Sequence, residues 1–238
     1  MRYQDLGLSG LVCYRRAMRI AVLSDTHLPA SISTLDELGS HSAELLSSVD
    51  LIIHAGDVVL PSVLDWCGQF AEVVCAQGNH DHFHDPRMSP IVVIEREGWR
   101  IGAVHDVEGI PPHINTVGEL KQAVYHDTSL DILLAGDSHY ERLEYRDRTL
   151  LLDSGSPIFP HHRSTRLGSM AVIELTRDGV HAEIVPLGDS PGLPNPCTPA
   201  HIDFDRGGLV SASIGSEEQD VSGGRVRWRP AAAPPLRV

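Results

Sequence analysis

Five short clusters in this chain bring aspartate, asparagine and histidine together directly behind apolar runs: Asp25-Thr26-His27, His54-Ala55-Gly56-Asp57, Gly78-Asn79-His80-Asp81, His105-Asp106 and Gly136-Asp137-Ser138-His139. Each alone has an ordinary explanation. An Asp-x-His pair can cap a turn, a Gly-Asp can close a strand, and Gly-Asn-His-Asp has the composition of a turn. Together they ask for more. Carboxylate oxygens, an amide oxygen and imidazole nitrogens are donors that suit manganese, iron, zinc and similar divalent ions. The clusters supply more donors than a single ion takes, and two ions side by side need a carboxylate between them.

The elements that must position these donors follow from the apolar periodicity. Residues 19–24, 50–54, 72–76 and 131–135 are short apolar runs typical of buried strands, and each stops at or just before a cluster. Residues 34–47 and 116–125 have helix-like spacing, and 61–70 opens on Pro61, a residue favoured in the first turn of a helix. Residues 91–95 with 99–104, and 139–145 with 148–153, read as hairpins, and strands 168–175 and 180–186 turn at Arg177-Asp178-Gly179. Strand–helix alternation followed by hairpins implies an α/β fold, two packed mixed sheets flanked by helices. In α/β sheets ligands collect at the carboxyl ends of strands, so the clusters can converge on one place.

A length of 238 residues fits one domain with something left over. A strong strand begins at Met18, so residues 1–17 read as an N-terminal extension and 18–187 as the domain. Residues 188–238, rich in Pro, Gly and Ser and ending in Arg225, Arg227 and Arg229 before a Pro-rich stretch, read as a disordered tail. A short basic interaction arm is the alternative. No apolar run approaches the length of a membrane span. A net charge of −13 argues against a protein that grips long nucleic acid, which needs a basic face. The four cysteines (Cys13, Cys67, Cys75, Cys197) have no CxxC spacing and read as buried thiols in a reducing cytoplasm.

The order Asp-x-His, Gly-Asp, Gly-Asn-His-Asp, His, Gly-x-x-His resembles that of the calcineurin-like metallophosphoesterases. The short length and Ser154-Gly155-Ser156-Pro157 resemble their small bacterial and archaeal phosphodiesterase branch. The resemblance covers about residues 19–186. It implies a four-layer αββα sandwich that hydrolyses a small phosphoester with two divalent metal ions. Manganese is the first choice, with iron, zinc, nickel or magnesium as alternatives. Carried over residue by residue, it makes Asp25, His27 and His139 ligands of one ion, Asn79 and His105 ligands of the other, and Asp57 the bridge. The ions would activate a shared water and neutralise the phosphoryl oxygens. His80, oriented by Asp81, would stand over the substrate and protonate the leaving group.

Two positions depart from the family pattern. Asp137 stands where the family usually has a histidine ligand of the second ion, and its shorter, harder oxygen either favours manganese or magnesium or leaves the second site weak. Asp106 follows His105 where the family tends to have glycine. Alternatives on the same fold are a phosphomonoesterase, a nucleotide pyrophosphatase, and a binding subunit such as the relative found in the retromer coat. A homo-oligomer is compatible with the sequence.

Other polar residues carry weaker expectations. His54 is expected to pack behind the site. His82, His84 and Arg87, and after the Ser-Gly-Ser-Pro segment His161, His162 and Arg163, are candidates for touching substrate. His41, His113, His126, His181 and His201 read as surface.

Overall fold

The computed structural model describes residues 16–29, 32–107, 116–126, 128–162, 167–188 and 194–230. The chain runs through β1 (Met18–Leu23), a 3-10 turn (Leu35–Leu38) leading into α1 (Gly39–Ser47), β2 (Leu51–His54), α2 (Pro61–Cys67), β3 (Glu72–Ala76) and β4 (Met88–Ser89). It continues with β5 (Val92–Arg96), β6 (Trp99–Ala103), α3 (Val117–Tyr125), β7 (Ile132–Ala135), β8 (Glu141–Arg146) and β9 (Thr149–Ser154). Then follow β10 (Ser169–Leu175), β11 (Gly179–Pro186), β12 (Ala200–Asp205), β13 (Gly208–Ile214), β14 (Glu217–Glu218) and β15 (Val226–Trp228).

One sheet has the order β14-β13-β12-β11-β10-β1-β2-β3-β4 and the other β15-β8-β9-β7-β6-β5. Both are mixed: β1 to β4 are parallel neighbours, as are β6, β7 and β9, while the remaining pairs are antiparallel. The central strands are apolar on both faces because both faces are covered. Ile20 and Val22 of β1 and Leu51 and Ile53 of β2 point between the sheets. Ala21, Leu23 and Ile52, one residue out of phase, join Leu46 of α1 and Val63 and Leu64 of α2 on the outside. The second sheet repeats this. Ile132, Leu134, Leu150 and Leu152 face inward, and Leu133 and Leu151 meet Val117, Leu120 and Tyr125 of α3. The strand period of two thus builds four layers, helix–sheet–sheet–helix, as the α/β sandwich reading expects.

The helix starts obey their local chemistry. α2 has Pro61 in its first turn. Thr116 caps α3, accepting from the Glu119 N–H while the Glu119 carboxylate accepts from the Thr116 N–H.

The expected disordered tail is corrected at its strands. β12 and β13 extend the first sheet beyond β11, and β15 pairs with β8 at the edge of the second. Ala200, Ile202, Phe204, Ala212, Val226 and Trp228 are buried in the core between the sheets, and that burial holds the segment in place. Residues 189–193 and 231–238 lie outside the described residues, as do 1–15. Among the described residues no helix is long and apolar enough to cross a membrane. Cys67, Cys75 and Cys197 are free thiols, and burial pushes all three up; Cys13 lies outside the described residues.

Candidate metal centre

The clusters behind β1, β2, β3, β6 and β7 meet. The Asp25 N–H donates to Gly56 O at 2.9 Å, the His27 N–H to Asp57 O at 3.0 Å, and the Gly136 N–H to His105 O at 2.8 Å. Two glycines are required by close approach. A Cβ on Gly78 would lie 2.1 Å from Asp57 Oδ1, and one on Gly136 would lie 1.8 Å from Ser24 Oγ. Asp25, His27, Asp57, Asp137 and His139 all have positive φ, between 39° and 67°. Non-glycine residues seldom adopt this region, and such strain gathers at functional sites.

Two donor groups result: Asp25 with His27 and His139, and Asp25 with Asp57 and His105. In the first, His27 Nε2 lies 3.2 Å from His139 Nε2, 3.7 Å from Asp25 Oδ1 and 3.4 Å from Asp57 Oδ2. In the second, His105 Nε2 lies 3.3 Å from Asp57 Oδ1, 3.0 Å from Asn79 Oδ1 and 3.5 Å from Asp137 Oδ1. The Asp57 carboxylate therefore turns one oxygen to each group. His80 stands at the rim, its side chain 57% exposed, with Nε2 3.9 Å from Asp57 Oδ2.

These residues fit divalent ions on a specific observation. Asp25 Oδ2 accepts the Asp137 N–H at 3.1 Å, but Oδ1 is buried and has no hydrogen-bond partner. Nε2 of His27, His139 and His105 all lie within 4.0 Å of that oxygen. The two latter rings are anchored by their other nitrogens: His139 Nδ1 donates to Phe159 O at 2.6 Å and His105 Nδ1 to Ala55 O at 2.8 Å. That leaves Nε2 as the donor atom, the arrangement usual for metal-binding histidines. A buried carboxylate oxygen facing imidazole nitrogens is what a cation satisfies.

The electrostatics agree. Burial opposes a charge on His105, but the hydrogen bond to Asp57 and the charge of Asp25 outweigh it and raise its pKa to about 9. Burial likewise opposes charge on Asp57, yet His105, the His80 N–H and His27 pull it down to about 2. Burial raises Asp137, partly offset by His105 and reinforced by Asp106, Asp25 and Asp57. A place that draws a proton this strongly draws a cation too.

Residues 18–178 match the calcineurin-like phosphoesterase superfamily domain. The chain belongs to this superfamily. It is 31% identical over 175 residues to a probable metallophosphoesterase of Methanothermobacter thermautotrophicus, covering 72% of this chain and 94% of the relative. It is 30% identical over 174 residues to a probable metallophosphoesterase of Methanocaldococcus jannaschii, covering 71% of this chain and 82% of the relative. The structure of Vacuolar Protein Sorting 29 from Cryptosporidium parvum shares the fold with a TM-score of 0.64 at 19% identity, over 81% of this chain and all of that one. Strands β11 to β15 lie beyond the superfamily match.

Within this superfamily site, Asp81 differs from its expected role. It is 2% exposed and accepts three backbone N–H groups, from Asp57 at 3.1 Å, Val59 at 2.8 Å and Gly78 at 2.8 Å. The tight turn from Gly78 to Asp81 sends the Asp81 carboxylate inward, under the Asp57 loop, while the His80 ring faces out. Asp81 thus orients the loop of Asp57, and with it Val59, a β-branched residue at φ 68°.

His54 packs behind the site as expected. Its Nδ1 accepts the Gly56 N–H and its Nε2 faces Thr26 Oγ1 at 3.2 Å, and burial lowers its pKa to about 4. Arg87 is not a rim donor, because Asp85 at 2.6 Å and Asp65 at 2.8 Å hold it. His161 turns inward, stacked on Tyr140 and 3.4 Å from Glu141. His82, His84 and Asp106 are exposed, and Arg163 and His113 lie outside the described residues.

Sequence reasoning missed the supports of the ligand loops. Ser156 Oγ donates to Asp25 O at 2.7 Å and accepts the Phe159 N–H at 2.8 Å. Ser138 Oγ donates to buried Asp153 at 2.8 Å, latching the loop that carries Asp137 and His139. The Ser-Gly-Ser-Pro segment was a signal for the first of these, but nothing in the letters marks the second.

Proposed function

We propose that this chain hydrolyses a phosphodiester with two divalent ions, manganese first among them. Asp25, His27 and His139 hold one ion, Asn79, His105 and Asp137 the other, and Asp57 reaches both. The carrying observation is the Asp57 carboxylate, one oxygen turned toward His27 and the other toward His105, beside the orphaned Asp25 Oδ1. When bound, the ions supply Lewis-acid activation of water and neutralise charge at the phosphoryl group.

The side chains do the rest. The Ala55 and Phe159 carbonyls fix the ring tautomers of His105 and His139. Asn79 contributes a neutral donor, which limits the negative charge an anionic ester meets. His80, on the rim beside Asp57, can turn to a leaving oxygen and give it a proton. Carboxylates, imidazoles and one amide meet here, and Arg87 is tied elsewhere. That balance suits the single charge of a diester better than the two charges of a monoester.

Asp137 Oδ1 near His105 favours a working second ion site over a binding-subunit role, and a carboxylate there suits manganese or magnesium better than zinc. The buried free thiols fit a reducing compartment such as the cytoplasm.

The test joins metal analysis to a leaving-group series. His80→Ala should keep two ions per chain. Its rate should fall by about two to four orders of magnitude, the usual contribution of a general acid. Diesters of alkyl alcohols should lose most and nitrophenyl diesters least. A uniform loss would reassign His80 to positioning the phosphoryl group, and a lost ion would make it a ligand. A wild-type protein that holds two ions yet hydrolyses no ester would refute the reading.

A further inference from the structure

A cavity of about 500 Å³ adjoins the metal centre on the outer face of the second sheet. Strand alternation puts its walls there. Leu143 of β8 and Leu152 of β9 point between the sheets, so Arg142 and Asp153, each one residue out of phase, point the other way. These two are partners across the β8–β9 ladder. Trp228 of β15 pairs with Leu143 and is buried inward, so Arg229 after it joins the outer wall. Val107, Ala135 and Pro230 add apolar surface. Part of this wall therefore comes from a segment that lies beyond the superfamily match.

Asp137 belongs to both places. It lines the cavity, and its Oδ1 lies 3.5 Å from His105 Nε2 in the second donor group. Its loop is held from the cavity side, where Ser138 Oγ donates to Asp153 at 2.8 Å. His80 belongs to the other end of the centre. Its Nε2 lies 3.9 Å from Asp57 Oδ2, the oxygen that faces His27, and its ring lies 5.3 Å from the His27 ring. Asp57 joins the two ends. A phosphoryl group placed over Asp57 thus has His80 on one side and the mouth of the cavity, at Asp137, on the other.

We propose that this cavity seats the ester group that stays on phosphorus, and that the substrate is a diester in which this group is of nucleoside size. The volume carries the size. It falls within the range of about 300–1,000 Å³ usual for small-molecule sites, and a methyl group would leave most of it to water. The walls carry the chemistry. The apolar surface of Val107, Ala135 and Pro230 suits the body of a ring. The positive charge of Arg142 and Arg229 persists whatever else they touch, and it suits oxygens on that ring. Which group stays on phosphorus rests on the phosphoesterase reading, where His80 serves the leaving oxygen; the seating of a large group does not.

The test compares two diesters with one leaving group, thymidine 5′-(4-nitrophenyl phosphate) and methyl 4-nitrophenyl phosphate. In the metal-loaded wild type the ratio of their kcat/KM values should favour the thymidine ester. Val107→Trp and Pro230→Trp fill the cavity from two of its walls. Each should lower the ratio about tenfold, the effect of keeping roughly 55 Å² of apolar surface from cover. Metal content should match wild type in both, since neither residue is among the donors. Pro230→Trp decides the matter where a tryptophan at position 107 disturbs the loop of His105.

A second arm reads binding without turnover: titration of thymidine 5′-monophosphate and methyl phosphate into the metal-loaded protein. The nucleotide should bind more tightly, and the filled variants should lose most of that preference. If neither ester turns over while the nucleotide preference and its loss are seen, the seat stands and the catalytic reading fails. Equal binding of the two ligands by wild type, or a preference unmoved in every variant that keeps its metal, overturns the seat.

Discussion

Phe204 joins the C-terminal strands to the main core, and its truncation measures how much that junction matters. The residue lies on β12, buried, with its ring 5.4 Å from Trp99 on β6 and 5.0 Å from Tyr145 on β8. Trp99 is further fixed by its own hydrogen bond, Nε1 to Thr176 O at 2.7 Å, and by Arg206 lying 3.4 Å over its ring. Neighbours held this way cannot collapse into the space a phenyl ring leaves. Phe204→Ala should therefore cost about 3–5 kcal/mol, the usual range for a buried aromatic. At about 2–4 °C per kcal/mol for a chain of this size, the melting temperature should drop by roughly 6–20 °C. Calorimetry on the metal-loaded protein reads the shift, and a nitrophenyl diester assay at low temperature reads the site. Metal content and rate should persist, because Trp99 opens β6 whereas His105 follows its other end. A drop below about 2 °C would mean that the C-terminal strands do not pack as described. A chain ended after Leu187 loses Ile202, Phe204, Val226 and Trp228 together and should not fold to a soluble protein.

Other perturbations address the centre and the sheet face. Asp57→Ala should lose at least one ion and essentially all phosphoesterase activity; metal analysis decides, and normal turnover with two ions would sink the two-ion assignment. Asp137→His should shift activity from manganese toward zinc in parallel titrations of the two forms. Asp81→Ala leaves three N–H groups without an acceptor, two of them buried and each of those worth about 1–3 kcal/mol, so stability and metal affinity should both fall. The leaving-group dependence of the rate should stay that of wild type, a result that a direct hold on the His80 ring would not give. On the outer face of β11, Glu183 beside one ring nitrogen of His181 (3.9 Å) and Asp203 at the other (2.7 Å) outweigh burial and raise its pKa to about 9. A raised histidine stabilises fully below its ordinary value of about 6.5 and loses that contribution as pH climbs through about 9. The urea midpoint should therefore decline between pH 7 and 10 more in wild type than in His181→Gln.

The donors were legible because in this fold the apolar run of a strand stops where its donor residues begin, and the letters show both. Asp25, Asp57, His105 and Asp137 all follow strands placed within a residue or two of their observed ends, and His54 closes one of them. The C-terminal strands were legible in principle and were hidden by composition. Arg225-Val226-Arg227-Trp228-Arg229 alternates with period two, as does Ala200-His201-Ile202-Asp203-Phe204-Asp205, and in both the apolar set is the buried one. Gly, Pro and Ser around them, averaged over the segment, masked that alternation.

Asp81 was not legible, for a different reason. A carboxylate next to a histidine in sequence can serve the histidine or the backbone, and the choice depends on which groups the fold delivers. Here the loop after β2 delivers the N–H groups of Asp57 and Val59 from more than twenty residues away. The same loop holds Asp57 and Val59 at positive φ without glycine, a conformation that stands only where surrounding bonds over-determine it. Asp81 supplies those bonds. The Gly-Asn-His-Asp motif thus couples two loops: its asparagine meets His105 and its histidine stands at the rim, while its aspartate fixes the backbone from which Asp57 reaches both donor groups.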